Sequence, residues 1–206
     1  MEIRPDLLEG RCPKCLLRQE VCLCDRVPTV HTRTEVLLVR HMLEALKSSN
    51  TARMAALAMP RCTLVDYGLR DAPFDPAPLR RPGTWLLYPG AEPCASPPPG
   101  LTQLVVIDGS WSQARRMTQR IPELRALPKL SLPPAPPPPR QLRRQKLEAG
   151  MSTLEAIARA ISLLEGEDVA RPLVELHALH AERSFALRFP VAKERRADVY
   201  PSLAED

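Results

Sequence analysis

Cysteines lie between residues 12 and 24 as Cys12-x-x-Cys15 and Cys22-x-Cys24. Each closely spaced pair can grip one metal ion, and four thiolates complete a tetrahedron, the arrangement of structural zinc. Four protein ligands leave no open position, so such a site would brace the chain and not catalyse. The segment is too short to bury a core of its own, and a metal would supply its folding energy. Two disulfides, or an iron–sulfur cluster, are the other uses of four such thiols; a cytosolic setting disfavours disulfides. Cys62 and Cys94 stand apart and read as core or loop thiols.

A second chemical signal is a carboxylate at the end of an apolar run, in Leu104-Val-Val-Ile-Asp108-Gly-Ser110-Trp111. Gly109 permits a sharp turn, Ser110 caps the following helix, and Gln113 completes a Ser-x-x-Gln capping box. Asp108 then sits at the carboxyl end of a strand beside a helix start, the edge at which open α/β sheets bind ligands. Capping for Asp108 and core packing for Trp111 would explain the same residues without chemistry. Ser152-Thr153-Leu154-Glu155 is a second capping box. Its helix places Leu154, Ile157, Ile161 and Leu164 on one face and stops at Gly166. Capping alone accounts for Ser152 and Glu155.

The elements that must hold these groups are legible as runs. Strands are expected at 34–39, 62–66, 84–88 and 103–107, where β-branched and apolar residues concentrate. A helix should follow Asn50, its N-cap, through Met59. The last helix is expected to start near Arg171-Pro172, with proline at its first position. It carries His177 and His180, read as incidental residues of a partly buried helix. Strands interleaved with helices predict an α/β domain with a mainly parallel sheet. The expected division is a Cys-rich segment over 1–30, a main domain over 31–190 and a polar tail over 191–206.

Bulk properties narrow the class. The 206 residues are 44% hydrophobic, enough for an ordinary core, and no apolar run approaches a membrane span. The first residues lack a signal-peptide pattern, so a cytoplasmic location is expected. The net charge of +5 leans toward polyanionic partners. Its arginines cluster as Arg115, Arg116, Arg120 and Arg125, and again as Arg140, Arg143 and Arg144 with Lys146. Many of the 24 prolines fall in two tracts, at 93–99 and 133–139, which read as surface connectors.

Taken in order, the motifs form a set: Cys12 to Cys24, His41-Met-Leu-Glu44, Asn50-Thr51, Leu87-Tyr88-Pro89, Asp108-Gly-Ser110-Trp111, Leu142-Arg143-Arg144 and Ser152-Thr153-Leu154-Glu-Ala156. This ordered set resembles the DTW-domain family of aminocarboxypropyltransferases. Ser110 stands where that family's signature has threonine, and Met42 and Lys146 stand where proline is usual. The resemblance implies a SPOUT-like α/β fold with a C-terminal trefoil knot. It also implies S-adenosylmethionine as donor and a tRNA uridine as acceptor. The product would be 3-(3-amino-3-carboxypropyl)uridine, with methylthioadenosine released. On this reading Asp108 is a base or an orienting group for uridine N3. Ser110 stands beside it, and Trp111 either stacks on a base or packs beneath the loop. Leu87, Tyr88, Pro89, Ser152, Thr153 and Leu154 would surround the donor. Arg115, Arg116, Arg143 and Arg144 would meet the tRNA backbone. His41, Glu44, Asn50 and Thr51 complete the motif set. A SPOUT-type RNA methyltransferase with the same donor is the alternative enzyme, and a non-catalytic RNA-binding or ribosome-assembly module the alternative of another class.

Overall fold

The structure, a computed structural model, describes residues 10–69, 72–90, 92–133 and 151–188. Five strands form one sheet: β1 (Glu35–His41), β2 (Cys62–Tyr67), β3 (Thr84–Leu87), β4 (Gln103–Asp108) and the short β5 (Lys129–Leu130). Their order is β2-β1-β4-β3-β5, and every pairing is parallel. The central strands β1 and β4 are buried along nearly their whole length. That is why both read as unbroken apolar runs and not as alternating patterns.

Alternate residues of those strands serve opposite layers. Val36, Leu38, Leu104 and Val106 join one apolar cluster with α1 (Ala52–Ala58), α4 (Thr153–Glu165) and α5 (Glu167–Arg188). Leu37, Val39 and Val105 join the other, with Met117 of α2 (Trp111–Arg120) and Leu124 of α3 (Pro122–Ala126). The result is a sheet covered by helices on both faces, as expected for parallel strands. Among the described residues no helix is long and apolar enough to cross a membrane.

The Cys-rich segment is not left to itself. Cys12, Cys15, Leu17 and Leu23 are buried in the same cluster as α1, α4 and α5. Its turn is closed by the Leu16 amide donating to the Cys12 carbonyl and the Cys12 amide donating to the Leu17 carbonyl. Leu16 has a positive φ of 59, unfavourable for a bulky residue, and its buried side chain offsets that strain.

Two helix starts differ from expectation. The residue before α1 is Thr51, whose side chain makes no cap bond. Asn50, one position earlier, still supplies the capping oxygen, accepting from the Arg53 amide at 3.0 Å. The last helix begins at Glu167, so Pro172 lies inside it and not at its first position. The cause is the connection: Gly166, with φ 103 and ψ 160, is the only residue between α4 and α5. That conformation belongs to glycine, and the chain re-enters a helix at once.

Residue 165 ties the far end of α4 to the start of β1. The Glu165 carboxylate accepts from the Arg33 amide at 2.9 Å and the Thr34 amide at 2.7 Å. Burial works to raise its pKa, yet those amides and the Arg33 charge hold it below its ordinary value. A depressed carboxyl pKa stabilises the fold above the unfolded value, and the benefit is lost as pH falls through the folded one. Glu165→Ala should therefore lower stability at pH 7 by about 2 kcal/mol, the usual worth of bonds to a charged group. In urea titrations repeated below about pH 4, native and variant should converge.

Candidate active site

All strands of the parallel sheet end on one edge, and the chemically interesting side chains gather there. The register sets Arg40 of β1 opposite Asp66 of β2 on one side and Asp108 of β4 on the other. Arg40 forms a two-pronged ion pair with Asp66, at 2.7 and 3.1 Å, and both side chains are largely buried.

Asp108 is the hub. It is only 5% exposed. One carboxylate oxygen accepts from Asn50 Nδ2 at 2.5 Å, the other from Thr153 Oγ1 at 2.7 Å. The end of β4, the start of α1 and the start of α4 therefore meet on one carboxylate. Burial, the largest influence, raises its pKa; the Thr153 and Asn50 bonds pull the other way, with Glu44 raising and Arg40 lowering it further. Glu44 is itself buried and paired with Lys47 at 2.6 Å.

The same edge carries both capping boxes. In α4, Ser152 Oγ accepts from the Glu155 amide at 3.2 Å, and Glu155 accepts from the Ser152 amide. Ser152 Oγ also lies 2.9 Å from His177 Nε2. A hydroxyl that accepts one amide bond keeps a proton and a second lone pair, so the direction of this bond follows the His177 tautomer. Burial lowers the His177 pKa, in keeping with a neutral ring. The Leu154 amide donates to Thr51 Oγ1 at 3.3 Å, a further tie between the α4 and α1 starts. In α2, Ser110 Oγ accepts from the Gln113 amide at 3.3 Å, and Gln113 Oε1 accepts from the Ser110 amide at 2.6 Å. Trp111, at the first turn, is 41% exposed, so core packing does not explain it.

Leu87 ends β3 beside β4, and Tyr88 and Pro89 follow it at the edge. Tyr88 is half-buried, with the Lys129 ammonium 5.7 Å from its ring centre, and Pro89 is exposed. Arg115 and Arg116 are exposed on α2, while Arg143 and Arg144 lie outside the described residues. The structure thus brings Asp108, Asn50, Thr51, Thr153 and Leu154 into one bonded group. Ser152 and His177 adjoin it, and Ser110, Trp111 and His41 border it through Gly109. Sequence reasoning missed Arg40 and Asp66, although a charge inside an apolar run was a visible signal. It also set His177 aside, which instead bonds to a motif serine.

The four cysteines also converge. Their sulfur atoms all lie within 4.8 Å of one another. Cys12 and Cys24 are 3.5 Å apart and Cys15 and Cys22 3.7 Å, far beyond a disulfide bond. Edges of about 3.8 Å are what a tetrahedron of sulfurs around zinc requires, from a metal–sulfur distance of about 2.3 Å. Burial works to raise Cys12, but amide donors at Cys15 and Lys14 outweigh it and bring that thiol to about 7. The donor set and spacing fit a metal ion.

A parallel sheet with a buried carboxylate at its carboxyl edge, two capped helix starts around it and a four-thiol knuckle is the framework of the site. The chain belongs to the DTW domain family, whose model matches residues 9–185 and so takes in both the knuckle and the edge. Relatives include the tRNA-uridine aminocarboxypropyltransferase 2 of Macaca fascicularis, 28% identical over 207 residues, covering 91% of this chain and 69% of the relative. The mouse (Mus musculus) protein of that name is 29% identical, covering 92% and 70%. The one from Drosophila melanogaster is 28% identical, covering 82% and 74%. No solved structure gives a significant match.

The raised pKa of Asp108 has a consequence for stability. Folding favours its protonated form, so its contribution is best below the unfolded value of about 3.9 and is lost as pH rises through the folded value. At neutral pH the ionised group costs stability. Asparagine at this position can accept from Asn50 and donate to the Thr153 hydroxyl. Asp108→Asn should therefore melt at or above the native temperature at pH 7.5, the advantage shrinking toward pH 4. A melting point lowered at pH 7.5, by about 3 °C per kcal/mol lost, would mean that the charge itself holds the junction.

Proposed function

We propose that this chain is a tRNA-uridine aminocarboxypropyltransferase that uses S-adenosylmethionine as donor. The observation that carries the reading is Asp108, buried where the two capped junctions of the family motif meet. The family membership and the names of the relatives support it.

In this reaction uridine N3 attacks the terminal carbon of the donor's aminocarboxypropyl arm. The bond from that carbon to sulfur breaks, its electron pair stays on sulfur, and methylthioadenosine leaves. The N3 proton is lost, and uridine gains the aminocarboxypropyl group. The same sulfonium also activates a methyl carbon, so positioning decides which group moves. Each oxygen of Asp108 accepts one bond from the protein and keeps a lone pair for the N3 proton. Its raised pKa makes it a better proton acceptor than an ordinary aspartate. Leu87, Tyr88, Pro89, Ser152, Thr153 and Leu154 would shape the donor pocket. Ser110 would hold the α2 start beside it, while Arg115 and Arg116, with Arg143 and Arg144, would meet tRNA phosphates.

The same reading takes the fold as SPOUT-like with a C-terminal trefoil knot, and the ion at Cys12, Cys15, Cys22 and Cys24 as structural zinc. It keeps the division into a Cys-rich segment over 1–30, a catalytic domain over 31–190 and a polar tail over 191–206. The compartment that suits a tRNA substrate is the cytoplasm.

Incubation with S-adenosylmethionine and unmodified tRNA should yield methylthioadenosine and a tRNA heavier by one aminocarboxypropyl group. S-adenosylhomocysteine and a methylated base would instead identify a methyltransferase, and donor turnover absent altogether would favour a binding module. Asp108→Asn should cut turnover by roughly 100-fold or more if the carboxylate takes the proton. Substantial activity with an unchanged pH profile would reduce Asp108 to orienting the uridine. Elemental analysis of purified protein should find about one zinc per chain, and its removal should lower the melting temperature, because Cys12 and Cys15 belong to the main core.

A further inference from the structure

His41, the last residue of β1, is placed by a chain of bonds that settles where its proton lies. The Ser110 amide donates to Gln113 Oε1 at 2.6 Å, which orients the Gln113 amide. Gln113 Nε2 is thereby turned toward His41 Nδ1, 3.4 Å away. The Leu43 amide donates to the same nitrogen at 3.2 Å. Two N–H groups converge on Nδ1, so that nitrogen must present its lone pair. In a neutral imidazole the proton is then on Nε2. Among the described residues Nε2 has no hydrogen-bond partner in the protein.

The arrangement depends on Gly109. A Cβ there would stand 3.1 Å from Gln113 Cβ, 3.2 Å from its Oε1 and 3.7 Å from His41 Cβ. The glycine of the Asp-Gly-Ser-Trp segment thus makes room for the contact between α2 and β1.

The surroundings say what such a donor would meet. His41 follows the alternation of β1 onto the α2 side of the sheet, opposite the side on which Asp108 meets α1 and α4. Trp111 follows Ser110 and Met42 and Leu43 follow His41 in the chain, and all three are exposed apolar residues. Arg115 and Arg116 are exposed one turn further along α2. A neutral N–H donor beside exposed apolar surface and an indole, with cations behind, suits a nucleobase better than a free anion.

We propose that this side of the sheet edge is a nucleobase-binding lip. His41 Nε2–H donates to an exocyclic carbonyl oxygen of an RNA base, and Trp111 offers its ring for stacking. That oxygen is O4 of uracil or O6 of guanine; cytosine and adenine carry an amino group at those positions, which would set donor against donor, and the O2 that cytosine shares with uracil gives no preference. The inference rests on RNA being the substrate, and its test does not require turnover.

Fluorescence polarisation with short single-stranded oligouridine and oligocytidine, using the full chain, reads the lip directly. The native protein should prefer oligouridine by roughly fivefold, the worth of one neutral hydrogen bond. His41→Ala should erase that preference, and His41→Gln, which keeps an N–H donor, should restore part of it. Trp111→Ala should weaken both oligomers alike. The slope of affinity against salt should be the same for His41→Ala as for the native protein, because a neutral ring releases no counterion. A native protein without the preference, a preference that survives His41→Ala, or a slope reduced by about one would overturn the proposal, the last by making His41 a phosphate contact. If no methylthioadenosine forms while the preference tracks residue 41, the transferase reading fails and the lip stands.

Discussion

The fold converges on the bonds that Asn50 and Thr153 make to Asp108. A carboxylate this deep is disfavoured as a charge unless donors compensate it. The two donors come from the starts of different helices, remote in sequence from Asp108 and from each other. Satisfying the buried group and closing the carboxyl edge of the sheet are therefore one event. The backbone ties nearby follow the same logic: Asn50 also caps the Arg53 amide, and Thr51 accepts from the Leu154 amide. Asn-Thr and Ser-Thr pairs at helix starts thus do more than begin helices. They bring two starts to a common anchor.

Around that anchor the sheet holds further charges in its interior. The pairing of Arg40 with Asp66 across β1 and β2 leaves Arg40 Nη1 buried and, among the described residues, without a partner. A hydrophobic pair of similar volume would often serve stability as well or better. Charge is retained here close to the proposed reaction centre, where Arg40 moderates the Asp108 carboxyl. The Cys-rich knuckle belongs to the same economy of burial. Its leucines complete the apolar layer under α1, α4 and α5, so a metal there would brace the main core as well as a loop.

Much of this was readable from sequence, for identifiable reasons. The four longer strands are parallel and rich in apolar residues, the central β1 and β4 being buried, so they announce themselves as apolar runs, and their limits are met to within a residue or two. Asp108 at a strand end and both capping boxes are local patterns, decided within a few residues. The four thiols declare themselves by spacing. What sequence hid is non-local: that Asn50 and Thr153 share one carboxylate, that Arg40 faces two aspartates, and that His177 meets Ser152. The start of α5 was misplaced because Pro172 suggested a first turn, while the decisive residue was Gly166, a sharp single-residue link. Trp111 could not be assigned from pattern, since the first turn of a helix can point either way. Its exposure is a property of the assembled edge.

The two capping boxes are written almost alike, yet they differ in the residue that closes them. Glu155 offers only lone pairs, so it accepts the Ser152 amide and passes no hydrogen on to a neighbour. Gln113 accepts the Ser110 amide with its oxygen and still has hydrogens to give, and one is directed at His41. Glutamate in its place would preserve the turn and the shape of the side chain. Its second oxygen would face the bare nitrogen of His41, and two lone pairs would meet where a hydrogen bond now stands. An isosteric exchange would then keep the helix start and lose the tie between α2 and β1. Read as an alphabet, Ser-x-x-Gln and Ser-x-x-Glu are synonyms for a helix and antonyms for its neighbour.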